Sequence, residues 1–171
     1  MDLYELMEYR RSVRHYKPQT IEKDKLERVL NAARLSPSGN NIQPWKFILV
    51  KDAATKRKMV PLCWNQKFVA EAPLVIVACA LKVESTVGGV IPTHVVDTSI
   101  AVTHLMLAAA HEGLGTCWVG AFESQPVKEL LAIPDDVEIV AIIPIGFPVD
   151  DARVVKSRKS FDQIICEERF G

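Results

Sequence analysis

The sequence predicts one domain in which helices and buried strands alternate, and three observations lead there. The 171 residues suit a single domain, and a chain of that size buries about 70% of its unfolded surface. Short apolar runs rich in Val and Ile, at 45–50, 74–81 and 137–145, are bounded by turn residues and read as buried strands. Outside these runs apolar residues recur at helical spacing, as in Leu26, Val29, Leu30 and Ala33.

Taken in order, Asp2 with Glu5 forms a capping pair that opens a short helix carrying Leu3, Leu6 and Met7 on its apolar side. A basic stretch over 10–17 follows, and Pro18 closes it. A second helix is expected over 22–35. A loop over 36–45 leads into the strand Trp45–Val50. Helices are expected over Ala53–Leu62 and 65–72, then the strand Leu74–Leu81. Residues 84–91, with Gly88-Gly89, read as a flexible connection. Pro92 starts the longest helix, about 93–112. It is apolar nearly all round, which predicts burial either centrally or against a second subunit. Residues 113–120 end it and enter a third strand. A short helix over 125–132 and a fourth strand over 137–145 follow. The tail from 150 carries a second basic patch, Lys156-Ser157-Arg158-Lys159. Its apolar residues Phe161, Ile164 and Ile165 are expected to pack on the core or on a partner chain.

The bulk composition excludes several classes. Formal net charge is zero and the pI is about 6.9, so no general attraction to nucleic acid or acidic membranes is expected. The strongly apolar run at 74–81 is far short of the roughly 20 residues a membrane helix needs. The first residues lack the basic and apolar regions of a signal peptide. Cys63, Cys79, Cys117 and Cys166 are widely separated with no C-x-x-C pair, so neither a zinc site nor a thioredoxin motif is indicated. They read as reduced thiols in a cytoplasmic protein.

Against that neutral background, residues 10–17 hold four Lys/Arg, a histidine and a serine. Such a cluster either sits in water, complementing the dipole of the first helix, or meets an anion. The arginine fork suits phosphate and ring carbonyls. A nucleic-acid arm is disfavoured because the stretch is short and no second groove-reading element accompanies it. The loop at 36–45 holds two prolines, a glycine, two asparagines and two serines, more polar backbone than a turn needs. Residues 113–120 approach the dinucleotide fingerprint G-x-G-x-x-G but fail it, since Trp118 stands where the third glycine belongs and the helix precedes the strand. No P-loop, nucleophile elbow or paired-histidine metal motif occurs, and His94, His104 and His111 lack i, i+4 spacing.

Four motifs in order carry a resemblance: Arg10-Arg11-Ser12-Val13-Arg14-His15-Tyr16, Pro37-Ser38-Gly39-Asn40-Asn41-Ile42-Gln43-Pro44-Trp45, Gly113-Leu114-Gly115-Thr116-Cys117-Trp118-Val119-Gly120, and Lys156-Ser157-Arg158. Together they resemble the flavin-dependent nitroreductase family over almost the whole chain. The resemblance implies an α+β fold, with a central mixed sheet wrapped by helices, as one FMN-binding domain over 1–171. It implies a homodimer with FMN at the subunit interface. Carried over by position, Arg10 and Ser12 would contact the phosphate and ribityl chain, Arg11 would stand with them among the cofactor-binding residues, and Lys156 and Arg158 would close on the phosphate. Arg14 would face the pyrimidine edge of the ring as an electrostatic tuner. Pro37, Ser38, Gly39 and Asn41 would come from the partner chain. Asn65 would hydrogen-bond the ring, and the backbone near Val119 and Gly120 would lie over N5. One departure stands out: many members carry a lysine three residues after the position of Asn65, and here that residue is Phe68, with Lys67 one short. The chain also lacks room for the long excursion of larger members, leaving 84–93 as the segment that could cover substrate.

The reaction so implied is ping-pong hydride transfer from NADH or NADPH through flavin N5 to small acceptors such as nitroaromatics or quinones. It needs no catalytic side chain and no metal, which agrees with the absence of an acid–base pair in the motifs. Two alternatives stay open. The same scaffold could run other flavin chemistry (reductive dehalogenation, dehydrogenation or flavin fragmentation), or the chain could bind flavin without turnover.

Overall fold

A computed structural model describes residues 1–150 and 156–170; residues 151–155 and 171 of the tail lie outside the described residues. In chain order the elements are α1 (Leu3–Tyr9), α2 (Lys23–Arg34), β1 (Trp45–Val50), α3 (Ala53–Leu62), α4 (Phe68–Glu71), β2 (Leu74–Leu81), β3 (Thr86–Val87), β4 (Ile91–Pro92), α5 (Thr93–His111), β5 (Gly115–Thr116), α6 (Ser124–Leu131) and β6 (Val137–Gly146). The main sheet has the order β1-β2-β6-β5 with every named pair antiparallel. A parallel bridge between Ser12 and Thr116 extends it and makes it mixed. The fold is α+β, as expected.

Alternation along β2 builds two cores. Leu74, Ile76 and Ala78 face one side, where they meet Leu26, Val29 and Ala33 of α2 and Ala101, Val102, Leu105 and Ala109 of α5. Val75, Val77 and Cys79 face the other, against Met59, Cys63, Phe68, Val69 and Val127 from α3, α4 and α6. Because strand side chains alternate, a strand apolar throughout must be covered on both faces, and β2 is. Near its end the pairing slips, Ala78 opposing Ala141 but Cys79 opposing Ile139, so Val140 bulges out of β6.

Three local expectations are corrected and a fourth, for the apolar tail residues, loses one of its two alternatives. The helix expected from 65 begins at Phe68, because Trp64 and Asn65 hold left-handed φ values of 53° and 59° that no helix continues through. The connection at 84–91 is a small ribbon, β3 pairing β4 around Gly88 and Gly89. The third strand is two residues long, with one further bridge from Val119 to Ile142. Phe161, Ile164 and Ile165 do not pack on this chain's core; each is more than half exposed. The capping box at Asp2 and Glu5 forms as read, and Gly113, at φ 75°, closes α5 with the Leu114 amide donating to the Ala109 carbonyl.

Among the described residues no helix is long and apolar enough to cross a membrane, and no cluster of His, Cys, Asp or Glu could hold a metal ion. Cys63, Cys79 and Cys117 are buried thiols without disulfide partners.

Candidate functional site

After α1 the basic stretch turns extended and threads along the sheet edge. The Val13 amide donates to the Thr116 carbonyl at 2.9 Å, Lys17 to Phe147 at 2.8 Å, and Val149 returns a bond to His15 at 3.1 Å. Val13 points into the core between the exposed Ser12 and Arg14, as strand alternation requires, while His15 is exposed and Tyr16 is buried, so the alternation breaks after Arg14. The Tyr16 hydroxyl has the Val13 carbonyl at 2.7 Å and the Pro144 carbonyl at 3.1 Å as acceptors. Burial pushes its phenol far above the usual range, so it stays a neutral donor. Gly115 allows this docking: a Cβ there would lie 2.5–2.9 Å from Val13 side-chain atoms.

Cations gather on the exposed side. Lys156 donates to the Met7 and Glu8 carbonyls at 2.9 and 2.5 Å, capping the end of α1. Burial, then the charges of Arg10 and Arg158, pull its ammonium below the usual lysine range. Lys156, 149 positions from Met7 and 148 from Glu8 in sequence, thus shares one neighbourhood with the end of α1 and Arg10. Among the described residues neither Arg10 nor Arg158 is paired with a carboxylate. Arg11 differs: its guanidinium is 2.5 Å from the Asp150 carboxylate and 2.7 Å from the Asp150 carbonyl. Arg14 lies over Phe68, 6.0 Å from the ring centroid, so the residue that departs from the family pattern supports the arginine from below.

The loop at 37–44 is held by α5. Both carboxylate oxygens of Asp97 accept the Gly39 amide, at 3.2 and 3.1 Å, and Thr98 donates to the Pro44 carbonyl at 3.5 Å. Inside the loop, Ser38 Oγ accepts the Gln43 amide, and the Gln43 carboxamide donates to Asn41. Asn40, Asn41 and Gln43 hold left-handed φ values of 50°, 56° and 54°, a conformation worth about 1 kcal/mol or more of strain each outside glycine. A Cβ on Gly39 would lie 3.0 Å from Thr93 Cγ2, so helix contact limits that position.

Asn65 is exposed beside Trp64, and Lys67 stands exposed at the N-cap position of α4 without a side-chain capping bond. The Val119 amide is spent on Ile142 at 2.9 Å, whereas the Gly120 amide has no partner among the described residues. The two halves of the expected site lie at opposite ends of α5. Gly39 sits at Asp97, and Arg10, Arg11 and Val13 line a small cavity with Ala110 and Leu114. At 1.5 Å per helical residue that is a separation of about 20 Å along the axis.

The family model for the "Nitroreductase family" matches residues 7–90 and 63–147. A protein of Archaeoglobus fulgidus described as an NADH dehydrogenase/NAD(P)H nitroreductase is 33% identical over 146 residues, covering 83% of each chain. The crystal structure of a nitroreductase family protein from Clostridium novyi NT superposes with a TM-score of 0.84 at 34% identity, covering 91% of this chain and 89% of that one. An iodotyrosine deiodinase of Thermotoga neapolitana is 26% identical over 173 residues, covering 86% of this chain and 89% of that protein. The chain belongs to the nitroreductase family.

The residues present fit the phosphorylated flavin associated with nitroreductases. Among the described residues Arg10 and Arg158 lack carboxylate partners, and Lys156 feels the charge of both, an arrangement a phosphate would relieve. Sequence reasoning missed Asp97, Thr98, Tyr16 and the support Phe68 gives Arg14. One signal could have found Asp97: it is the sole Asp, Glu, Lys or Arg in the 19 residues of α5.

Proposed function

We propose that this nitroreductase is an NAD(P)H-dependent oxidoreductase that holds FMN between two copies of the chain and reduces small acceptors. The carrying observation is the gathering of Arg10, Lys156 and Arg158, none paired with a carboxylate among the described residues, beside the exposed Ser12 and Arg14. In that reading Arg10, Ser12, Lys156 and Arg158 hold the phosphate and ribityl chain. Arg11 reaches it only by leaving Asp150. Bound there, the flavin would supply hydride acceptance and donation at N5. Arg14 contributes a fixed cation, braced by Phe68, that favours electron uptake by a ring shielded from water. The Gly120 amide, without a partner among the described residues, is a backbone donor available to the ring, and Asn65 is an exposed side-chain donor for it.

The separation of the loop from the basic stretch supports a two-chain site. A two-fold axis crossing α5 brings the start of one α5 beside the end of the other, and with it Pro37, Ser38 and Asn41 of one chain to the cations of its partner. Val96, Ile100 and Leu107 of α5 are only partly covered, and the tail residues Phe161, Ile164 and Ile165 are exposed, apolar surface suited to a second copy.

Nitroaromatics and quinones are the acceptors proposed. Reductive dehalogenation is the second reading, favoured by similarity to an iodotyrosine deiodinase over most of both chains. Purified protein, loaded with FMN, should show a flavin spectrum that NADH or NADPH bleaches under anaerobic conditions. An acceptor panel including halophenols then separates the two chemistries. Protein that takes up no FMN overturns the proposal, and bound flavin that neither nicotinamide bleaches leaves a binding module instead.

A further inference from the structure

We propose that Asp97 is a positioning residue for the cofactor, acting through the loop at 37–44; this rests on the flavin-binding reading above. The carboxylate is 4% exposed, on a helix with no other charged Asp, Glu, Lys or Arg, and among the described residues no cation lies within ion-pair distance of it. A carboxylate is seldom buried without a partner, and here its hydrogen-bond partner is a single backbone amide, that of Gly39.

That bond does what the loop cannot do for itself. Asn40, Asn41 and Gln43 are left-handed, and the internal bonds from Gln43 to Ser38 and Asn41 fix only the loop's own shape. Its placement relative to the fold comes from the second turn of α5. Asp97 fastens Gly39 at one end and Thr98 reaches the Pro44 carbonyl at the other, while Thr93 Cγ2 would lie 3.0 Å from any Cβ on Gly39. The same bond removes the Gly39 amide from the donors open to a ligand. Gly39 therefore serves by closeness to α5, and Ser38, Asn40 and Asn41 present the contact surface. Asn40 and Asn41 are exposed and Ser38 is partly so.

The test compares wild type, Asp97→Asn and Asp97→Ala, all loaded with FMN. Asn keeps one acceptor for the Gly39 amide and Ala keeps none. Measured are the FMN dissociation rate well below the melting temperature, the melting temperature of the apoproteins, and hydrogen exchange of the Gly39 amide. Dissociation should quicken about tenfold for Ala and less for Asn, as expected when a charge-assisted bond is lost, with Gly39 exchange accelerating in the same order. A lowered melting temperature with wild-type dissociation of FMN would make Asp97 structural only and overturn the proposal. Should the Ala variant fail to fold, the Asn variant decides on the same readouts. Wild type that binds no FMN overturns the flavin reading instead, and is seen before any variant is made.

Discussion

Replacing Gly115 with alanine tests how the basic stretch is seated. The added Cβ would lie 2.5, 2.7 and 2.9 Å from Val13 Cγ2, Cβ and Cγ1, the whole branched side chain, with no flexible end to swing aside. Val13 is 4% exposed, and its amide and carbonyl are both engaged, by Thr116 and Tyr16. If the stretch stays, overpacking costs about 1–3 kcal/mol. If it lifts, the chain loses burial of one valine, about 1.5–3 kcal/mol, and a hydrogen bond of about 1 kcal/mol. The cheaper route sets the loss, about 1–3 kcal/mol, a fall of roughly 2–12 °C in melting temperature for a domain of this size. Because Ser12 and Arg14 ride on Val13, FMN affinity should fall by about tenfold or more. Gly120→Ala is the control for stability, since its Cβ would meet Trp118 at an ordinary 3.6 Å. Calorimetry and fluorescence titration with FMN read both effects. Gly115→Ala with wild-type melting and wild-type FMN affinity would refute the seating argument.

Two further outcomes follow from the charges. Arg14→Gln should retain flavin but lower its reduction potential and slow bleaching by nicotinamide; an unchanged potential in loaded protein would move the tuning role to another group, Lys67 being nearest in sequence to the family's lysine. Glu112, hydrogen-bonded by Arg28 at 2.7 and 2.8 Å, is held below the usual carboxylate range by that bond first. A depressed carboxylate stabilises the fold above its unfolded pKa, and the gain disappears as pH falls through its folded value. The stability gap between wild type and Glu112→Gln should therefore be full at neutral pH and close in acid, as chemical denaturation across pH would show.

Much of the fold was legible because local chemistry and packing agree. β1 and β2 begin and end where their apolar runs do, and α1 forms the capping box written at Asp2 and Glu5. The departures come from tertiary demands. The α4 helix starts late because Trp64 and Asn65 turn the chain before it, and β5 stops at two residues where Cys117 meets Pro144, which accepts a bond but has no amide to return one. In the site, Arg10, Lys156 and Arg158 were readable as surplus charge in a neutral chain. Arg11 was not separable from them, since its partner Asp150 lies 139 residues away. Asp97 was visible as the one Asp, Glu, Lys or Arg of α5, but the role proposed for it depends on where the loop comes to rest, which local sequence does not show.

The central claim, that each site is built from two chains, is tested most directly by mixing two inactive variants. One, Arg14→Gln with Arg158→Ala, loses the cations; the other, Gly39→Val, presses the loop off Thr93. Unfolded together in equal amounts and refolded with FMN, about half the dimers should be mixed, each with one intact site. NAD(P)H oxidation should then return to about a quarter of refolded wild type, the share of intact sites under random pairing. Refolded wild type that recovers activity beside a mixture that recovers none would contradict the shared site.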